Sequence, residues 1–184
     1  MVTPLPEDAL TRAQAGEPAA FSLLYQALGP AVLGYFAGRG SEDPEALTQE
    51  VFLTVFSKID TVAGGLSGLR TFTFSVAHAR YVDEVRRRAR TPVVVGYEVD
   101  GDTRLTDSAE TVALGQLDLG GAGSMLAQLN DEQRDVLLLR IVAELPIEQV
   151  AEILGRSAGS VKQLQRRGLL KLKELVHLDE SEAQ

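Results

Sequence analysis

AEILGRSAGSVKQLQRRG, residues 151–168, holds the signals that decide the fold. An apolar stripe of Val150, Ala151 and Leu154 stops at Gly155, and a second stripe, Val161 and Leu164, begins beyond Gly155-Arg156-Ser157. Glycine ends the first helix because it adopts a positive backbone angle at no steric cost. The spacing predicts one helix over Ile147–Leu154, a tight turn, and a second helix from Ala158, which is helix-turn-helix spacing. With Val161 turned inward, Lys162, Gln163, Arg166 and Arg167 fall on the outer arc, where Arg and Gln can reach phosphates and base edges in a major groove. Between Gly155 and Lys173 stand Arg156, Lys162, Arg166, Arg167, Lys171 and Lys173 and no acidic residue, although the whole chain is formally -8. A solvated basic face would carry the same charges; the preceding helix and turn are what favour DNA.

Composition narrows the rest. With 184 residues, 45% hydrophobic and 24% charged, the chain is long enough for one globular domain or two small ones. Cysteine is absent, which excludes disulfides and thiolate metal sites, and His78 and His177 stand far apart with no second ligand at metal spacing. A metal enzyme is not expected. No stretch approaches the roughly 18 uninterrupted apolar residues of a membrane span, and MVTPLPEDAL lacks the basic-then-apolar order of a signal peptide. A cytoplasmic protein without membrane insertion is expected.

Charge alternates along the chain. Residues 1–60 hold 3 basic and 8 acidic side chains, 61–90 hold 6 and 2, 91–135 hold 2 and 9, and 136–184 hold 7 of each. A polyanion senses the local field within about 10 Å rather than the total, so the net charge does not exclude nucleic acid as a partner. Apolar periodicity of three to four residues dominates, which reads as all-α. Pro18 opens a helix with Phe21, Leu24, Tyr25 and Leu28 on one face, and Gly29-Pro30 makes the apolar run AVLGYF either a second helix or a kinked continuation. Glu45–Phe56 reads as a helix with Leu47, Val51 and Val55 on one side and Phe52 and Phe56 on another. VAGGLSGL, residues 62–69, reads as a loop, and Arg70–Arg90 as one long helix in which His78 shares the inner face with Phe74, Tyr81, Val82 and Val85. Residues 91–124 read as an acidic linker with one short helix near Glu110–Leu117.

Against this background, EDPEALTQEVFLTVF followed by RTFTFSVAHARYVDEVRRRAR resembles region 2 of bacterial sigma factors of the extracytoplasmic-function class, group four. LNDEQRDVLLLRIVAELPIEQVAEILGRSAGSVKQLQRRGLLKL is similar to their region 4. The sequence departs from the family pattern at Phe72 (usually Trp), Thr73 (usually Leu), Ala79 (usually Asn), Ala46 (usually Asp) and Gln165 (usually apolar). The resemblance implies an all-α chain of two small helical domains joined by an acidic flexible linker: region 2 over 1–90, linker over 91–124, region 4 over 125–177 and a tail over 178–184. The shortness of that tail leads to the expectation that no sensory domain is appended.

The function implied is promoter recognition without chemistry or cofactor. Glu45, Gln49 and Glu50, with Phe52 or Phe56, would meet core RNA polymerase at the clamp helices of its largest subunit, with the flap as a second contact. Gly65, Ser67, Arg70, Phe72, Arg80, Arg86 and Arg87 would handle the minus-10 element, where a base is flipped from the non-template strand into the glycine-rich loop. Arg156, Ser157, Ser160, Lys162, Gln163, Arg166 and Arg167 would read the minus-35 element. An anti-sigma factor is a further partner class that the resemblance raises. Two rivals stay open at this point: a dimeric helix-turn-helix regulator, and a sigma-like protein that binds polymerase without promoter activity.

Overall fold

The structure is a computed structural model that describes residues 5–90 and 121–182. The linker, with its short helix near Glu110–Leu117, lies outside the described residues. Among those residues every regular element is helical: α1 (Ala9–Gln14), α2 (Pro18–Gly38), α3 (Pro44–Ser57), α4 (Gly65–Arg90), α5 (Gly121–Ala127), α6 (Asp131–Leu137), α7 (Ile147–Leu154) and α8 (Ala158–Glu182).

Helix α2 is the centre of the first block. Pro18 sits in its first turn, where the missing N–H is no loss, and the helix passes through Pro30 as one 21-residue element rather than two. Its length and apolar composition would suffice for a membrane span, yet Leu24, Leu28, Val32, Tyr35 and Phe36 are at most 3% exposed and form the core of the fold. Helices α3 and α4 close over it through Val51, Phe52, Val55, Leu69, Phe74 and Ala77. Asp43 caps α3 by accepting a hydrogen bond from the Ala46 amide at 2.8 Å, and Pro44 opens the helix. The loop before it is pinned from α4. Buried Glu84 accepts from Ser41 Oγ at 2.8 Å and from the Glu42 amide at 3.1 Å, and Arg88 completes the charge balance.

Two expectations change. The glycine-rich loop is shorter than its composition implied, because α4 begins at Gly65 and only Val62, Ala63 and Gly64 separate it from the preceding turn. Gly68 makes that possible, since a Cβ there would lie 1.8 Å from the Ala63 carbonyl oxygen. Val85, expected inside, is 41% exposed, because at this turn of α4 it is Glu84, bonded to Ser41 and the Glu42 amide, that faces inward.

In the second block Asn130 caps α6 through the Gln133 amide at 2.9 Å, and α6 continues as a wider π turn over Leu138–Val142. Ile141, in that π turn, is 58% exposed. The helix-turn-helix forms as spaced: α7 ends at Gly155 with φ 61°, and Val161 and Leu164 of α8 are buried. Gln165 at a usually apolar position is satisfied, its side-chain carbonyl accepting from Arg140 Nε at 3.3 Å.

The two blocks share one apolar core. Val142 packs on Gly34, and Leu138 packs on Gly38 so closely that a Cβ there would lie 2.6 Å from a Leu138 methyl. Beside this seam Arg39, 5% exposed, stacks 4.3 Å over the Tyr81 ring and lies 3.1 Å from Asp135 and 3.6 Å from Asp131. The Arg39–Asp135 contact is one of charge, since the Nε–H is not aligned for a hydrogen bond. His78 shares a 3.0 Å hydrogen bond with Tyr35 and stands 4.0 Å from Asp135. This lone histidine faces inward, as expected, but its neighbours include the other block.

Candidate nucleic-acid and polymerase interfaces

The outer arc of α8 is presented as the sequence implied. Lys162, Gln163, Arg166 and Arg167 are all exposed, and the helix is anchored beneath them by Val161 and Leu164. Ser157 is exposed, but its hydroxyl accepts from the Ser160 amide at 3.1 Å and so caps the start of α8. Arg156 pairs with Glu132. Lys162, Arg166 and Lys173 line a shallow groove of about 430 Å3 floored by Leu169 and Leu170, two of the exposed large apolar side chains. The arc can therefore offer cations, a bidentate amide and apolar surface along one helix.

The residues expected at the minus-10 element lie on the outer side of α4, and several are engaged by carboxylates of this chain. Arg70 lies 3.3 Å from Glu144 and donates to the Ala143 carbonyl at 3.1 Å. Arg80 lies 3.9 Å from Glu50 and donates to Thr54 Oγ1 at 3.1 Å. Arg86 pairs with Asp83 at 3.7 Å. Gly65 opens α4 with φ 62°, and Ser67 one turn before Thr71 accepts from Gln149 Nε2 at 3.2 Å. Phe72 is half-buried against the core. Arg87 borders a cleft of about 600 Å3 with Glu50, Glu84 and Arg88, and Ala46 lines it where the family usually carries Asp.

On α3, Glu45, Gln49 and Glu50 are exposed on one side, and Glu45 and Gln49 border a groove of about 520 Å3 shared with Tyr25, Pro30 and Leu33 of α2. Phe52 does not join them. It is 3% exposed and packed between Tyr25 and Phe56, with ring centroids 4.7 and 5.4 Å away, so it is a core residue and unavailable to a partner. Leu53, one residue on, is 73% exposed and is the apolar group that α3 actually presents. Adjacent apolar residues on a helix point about 100° apart; Leu53 lies off the Leu47, Val51, Val55 stripe, which was the signal available for finding it.

The family described as sigma-70, region 4 matches residues 125–174, which contain α6, α7 and the outer arc of α8. The extracytoplasmic-function RNA polymerase sigma factor BldN of Streptomyces coelicolor is 29% identical over 168 residues, 90% of this chain. Over about nine tenths of its length the chain is similar to extracytoplasmic-function sigma factors, and residues 125–174 match sigma-70 region 4. The BldN match spans 63% of that protein, just under two thirds of its length. A second member of the class, ShbA of Streptomyces griseus, is 29% identical over 174 residues, 89% of this chain and 91% of ShbA. The fold agrees with the structure of CnrH in complex with the cytosolic domain of CnrY, at a TM-score of 0.64 and 19% identity over 96% of this chain and 99% of that one. The outer arc of α8 is open, whereas the outer side of α4 is partly occupied by the region 4 segment.

Proposed function

We propose that this chain is an extracytoplasmic-function sigma factor that binds core RNA polymerase in the cytoplasm and directs it to promoters, reading a minus-35 element with α8 and a minus-10 element with the first turns of α4. The observation that carries the reading is the exposed arc of Lys162, Gln163, Arg166 and Arg167 on the second helix of a region 4 helix-turn-helix. Arg166 and Gln163 supply base contacts, and Lys162 and Arg167 supply phosphate contacts that fix register. Arg156 joins them once its pair with Glu132 is exchanged for DNA, while Ser157 and Ser160 set the start of the helix and approach the backbone there.

On region 2, Gly65, Ser67 and Arg70 receive the unpaired strand, Phe72 supports a base with the part of its ring left exposed, and Arg80, Arg86 and Arg87 hold the backbone. Glu45, Gln49 and Glu50, with Leu53 in place of Phe52, meet the polymerase clamp helices, and region 4 meets the flap. The relative CnrH is held by CnrY, and an anti-sigma regulator acting on this chain is part of the same proposal.

Run-off transcription with purified core polymerase and a library of promoters tests the reading. Transcripts that depend on this chain and on both elements are expected. Tight binding to polymerase without any transcript would instead make it a polymerase-binding protein, and operator binding without polymerase would make it a conventional repressor.

A further inference from the structure

We propose that the turn Ala143-Glu144-Leu145 of region 4 is an internal substitute for a nucleic-acid backbone, which occupies Arg70 and Ser67 until region 4 is drawn off region 2. The inference rests on the reading of those two residues as strand contacts and adds what competes for them.

The turn is built to hold one residue in an awkward state. Ala143 and Leu145 are both fully buried, while Glu144 between them is 72% exposed at its side chain. The Ala143 and Leu145 amides donate to Leu138 and Leu139 carbonyls at 3.0 Å, and Arg140 donates to the Leu145 carbonyl. Glu144 is thereby forced to φ 54°, the one positive value among the described non-glycine residues. Glycine or asparagine satisfies such a position at less steric cost. What glutamate adds is its partner: one Arg70 nitrogen faces the Glu144 carboxylate at 3.3 Å and the Ala143 carbonyl at 3.1 Å. A carboxylate beside a second oxygen acceptor offers a guanidinium what a phosphodiester offers, an anion with adjacent oxygens. Gln149 occupies the Ser67 hydroxyl in the same way, from the next helix of region 4.

The substitution is temporary by geometry. Elements centred near minus 10 and minus 35 stand about 25 base pairs apart, roughly 85 Å along straight DNA. Here α7 touches the first turn of α4 at 3.2 Å, so one duplex cannot meet both surfaces in this arrangement. The contact is also imperfect, since Gln149 Oε1 is buried there without a hydrogen-bond partner. Region 4 must leave for the promoter to be read, and its departure uncovers Arg70 and Ser67 together.

The test is the affinity of the full chain for a fluorescent single strand of about twelve nucleotides at low salt, read by anisotropy. Glu144→Gln keeps the shape of the turn and removes its charge. It should bind the strand about two- to five-fold tighter than the parent, the range of one exposed ion pair. Glu148→Gln, which removes an exposed carboxylate from α7 instead, should change affinity little. In an Arg70→Ala background Glu144→Gln should give no gain. No gain from Glu144→Gln, an equal gain from Glu148→Gln, or a gain that survives Arg70→Ala would overturn the inference. Failure of the underlying reading looks different: Arg70→Ala would then leave both strand affinity and run-off transcription unchanged. Melting temperatures within a degree or two of the parent for each variant exclude misfolding as the cause.

Discussion

The two basic surfaces of this chain meet opposite fates. On α8 the arc from Lys162 to Arg167 is solvated and, among the described residues, unpaired with any carboxylate. On α4 Arg70, Arg80 and Arg86 each have a carboxylate within 4 Å, from Glu144, Glu50 and Asp83. The charge profile along the sequence peaks at both places, with 6 basic against 2 acidic side chains over residues 61–90. A local excess of cations in sequence is therefore not a basic surface in space: the partners of Arg70 and Arg80 come from region 4 and from α3, tens of residues away, and that of Arg86 from α4 itself. The α8 surface is ready for a polyanion, whereas the α4 surface must first exchange its carboxylates.

The strongest way to break this contrast is to release region 4. Arg39→Met removes the cation facing Asp135 and Asp131 at the seam and leaves Asp135 half-buried without its closest counter-charge. Breaking such a pair costs about 3 kcal/mol. The chain has no cysteine, so dyes on Asp60→Cys and Glu152→Cys report the separation of the blocks directly. Arg39→Met should lengthen that distance and leave helix content unchanged. Adding Asp135→Leu, which makes the seam apolar on both sides, should shorten it again. A distance indifferent to Arg39→Met would assign the closure wholly to the Leu138 and Val142 packing.

A second substitution pair separates burial from presentation on α3. Phe52→Ala should destabilise region 2 by about 3 kcal/mol, because it empties a ring site between Tyr25 and Phe56. Leu53→Ala should stay within about 0.5 kcal/mol in urea unfolding while weakening binding to core polymerase. Equal polymerase affinity for Leu53→Ala and the parent would return the contact to Glu45, Gln49 and Glu50 alone.

This pair also shows where the sequence was legible. The helix-turn-helix could be read because its signals are local: Gly155 must end α7, and Val161 and Leu164 must face in. The start of α4 is hard to place because glycines at 64, 65 and 68 look like a loop by composition, although Gly68 serves a close approach to Ala63 and Gly65 begins a helix. Phe52 is hard to place because α3 is apolar on two faces, and periodicity cannot say which of two neighbours a partner helix covers. The seam between the blocks had no sequence signal at all. Gly34, Gly38 and Arg39 are ordinary residues in and just after α2 until Leu138, Val142 and Asp135 are brought to them across about 100 residues.

On the open surface the effects should be smaller and sequence-dependent. Arg166→Ala or Gln163→Ala should cost about 1–3 kcal/mol at promoters with the cognate minus-35 element, as measured by competition between promoters for the assembled polymerase. Lys162→Ala should weaken all promoters alike and lower the salt dependence of binding, as a phosphate contact does. A uniform loss for Arg166→Ala would move that residue from base to backbone.

The smallest effect expected is a pH dependence of closure, and its sign is set by the groups at the seam. His78 faces Tyr35 and Arg39 from the α2 side and Asp135 from region 4, while Asp131 and Arg134 of region 4 and Arg39 act on the neighbouring Tyr81. Burial lowers its pKa below the ordinary 6.5; Asp135 pulls against that shift and Arg39 adds a smaller push in the same direction. Burial raises Asp135 above the ordinary 3.8, opposed first by Arg39 and then by His78. A histidine with a depressed pKa favours the closed state when neutral, so its contribution is present above pH 6.5 and is lost as pH falls from there through the depressed value. The raised carboxylate acts oppositely and lower down: the closed state gains as Asp135 takes up its proton on the way toward pH 3.8. The label distance should therefore lengthen slightly on first acidification below pH 6.5, by a fraction of what Arg39→Met produces. His78→Gln, which keeps a hydrogen-bonding group for Tyr35 without the titration, should flatten that first phase and leave the lower one. Asp135→Asn should do the reverse. A first phase that persists in His78→Gln would mean that the dependence arises outside this seam.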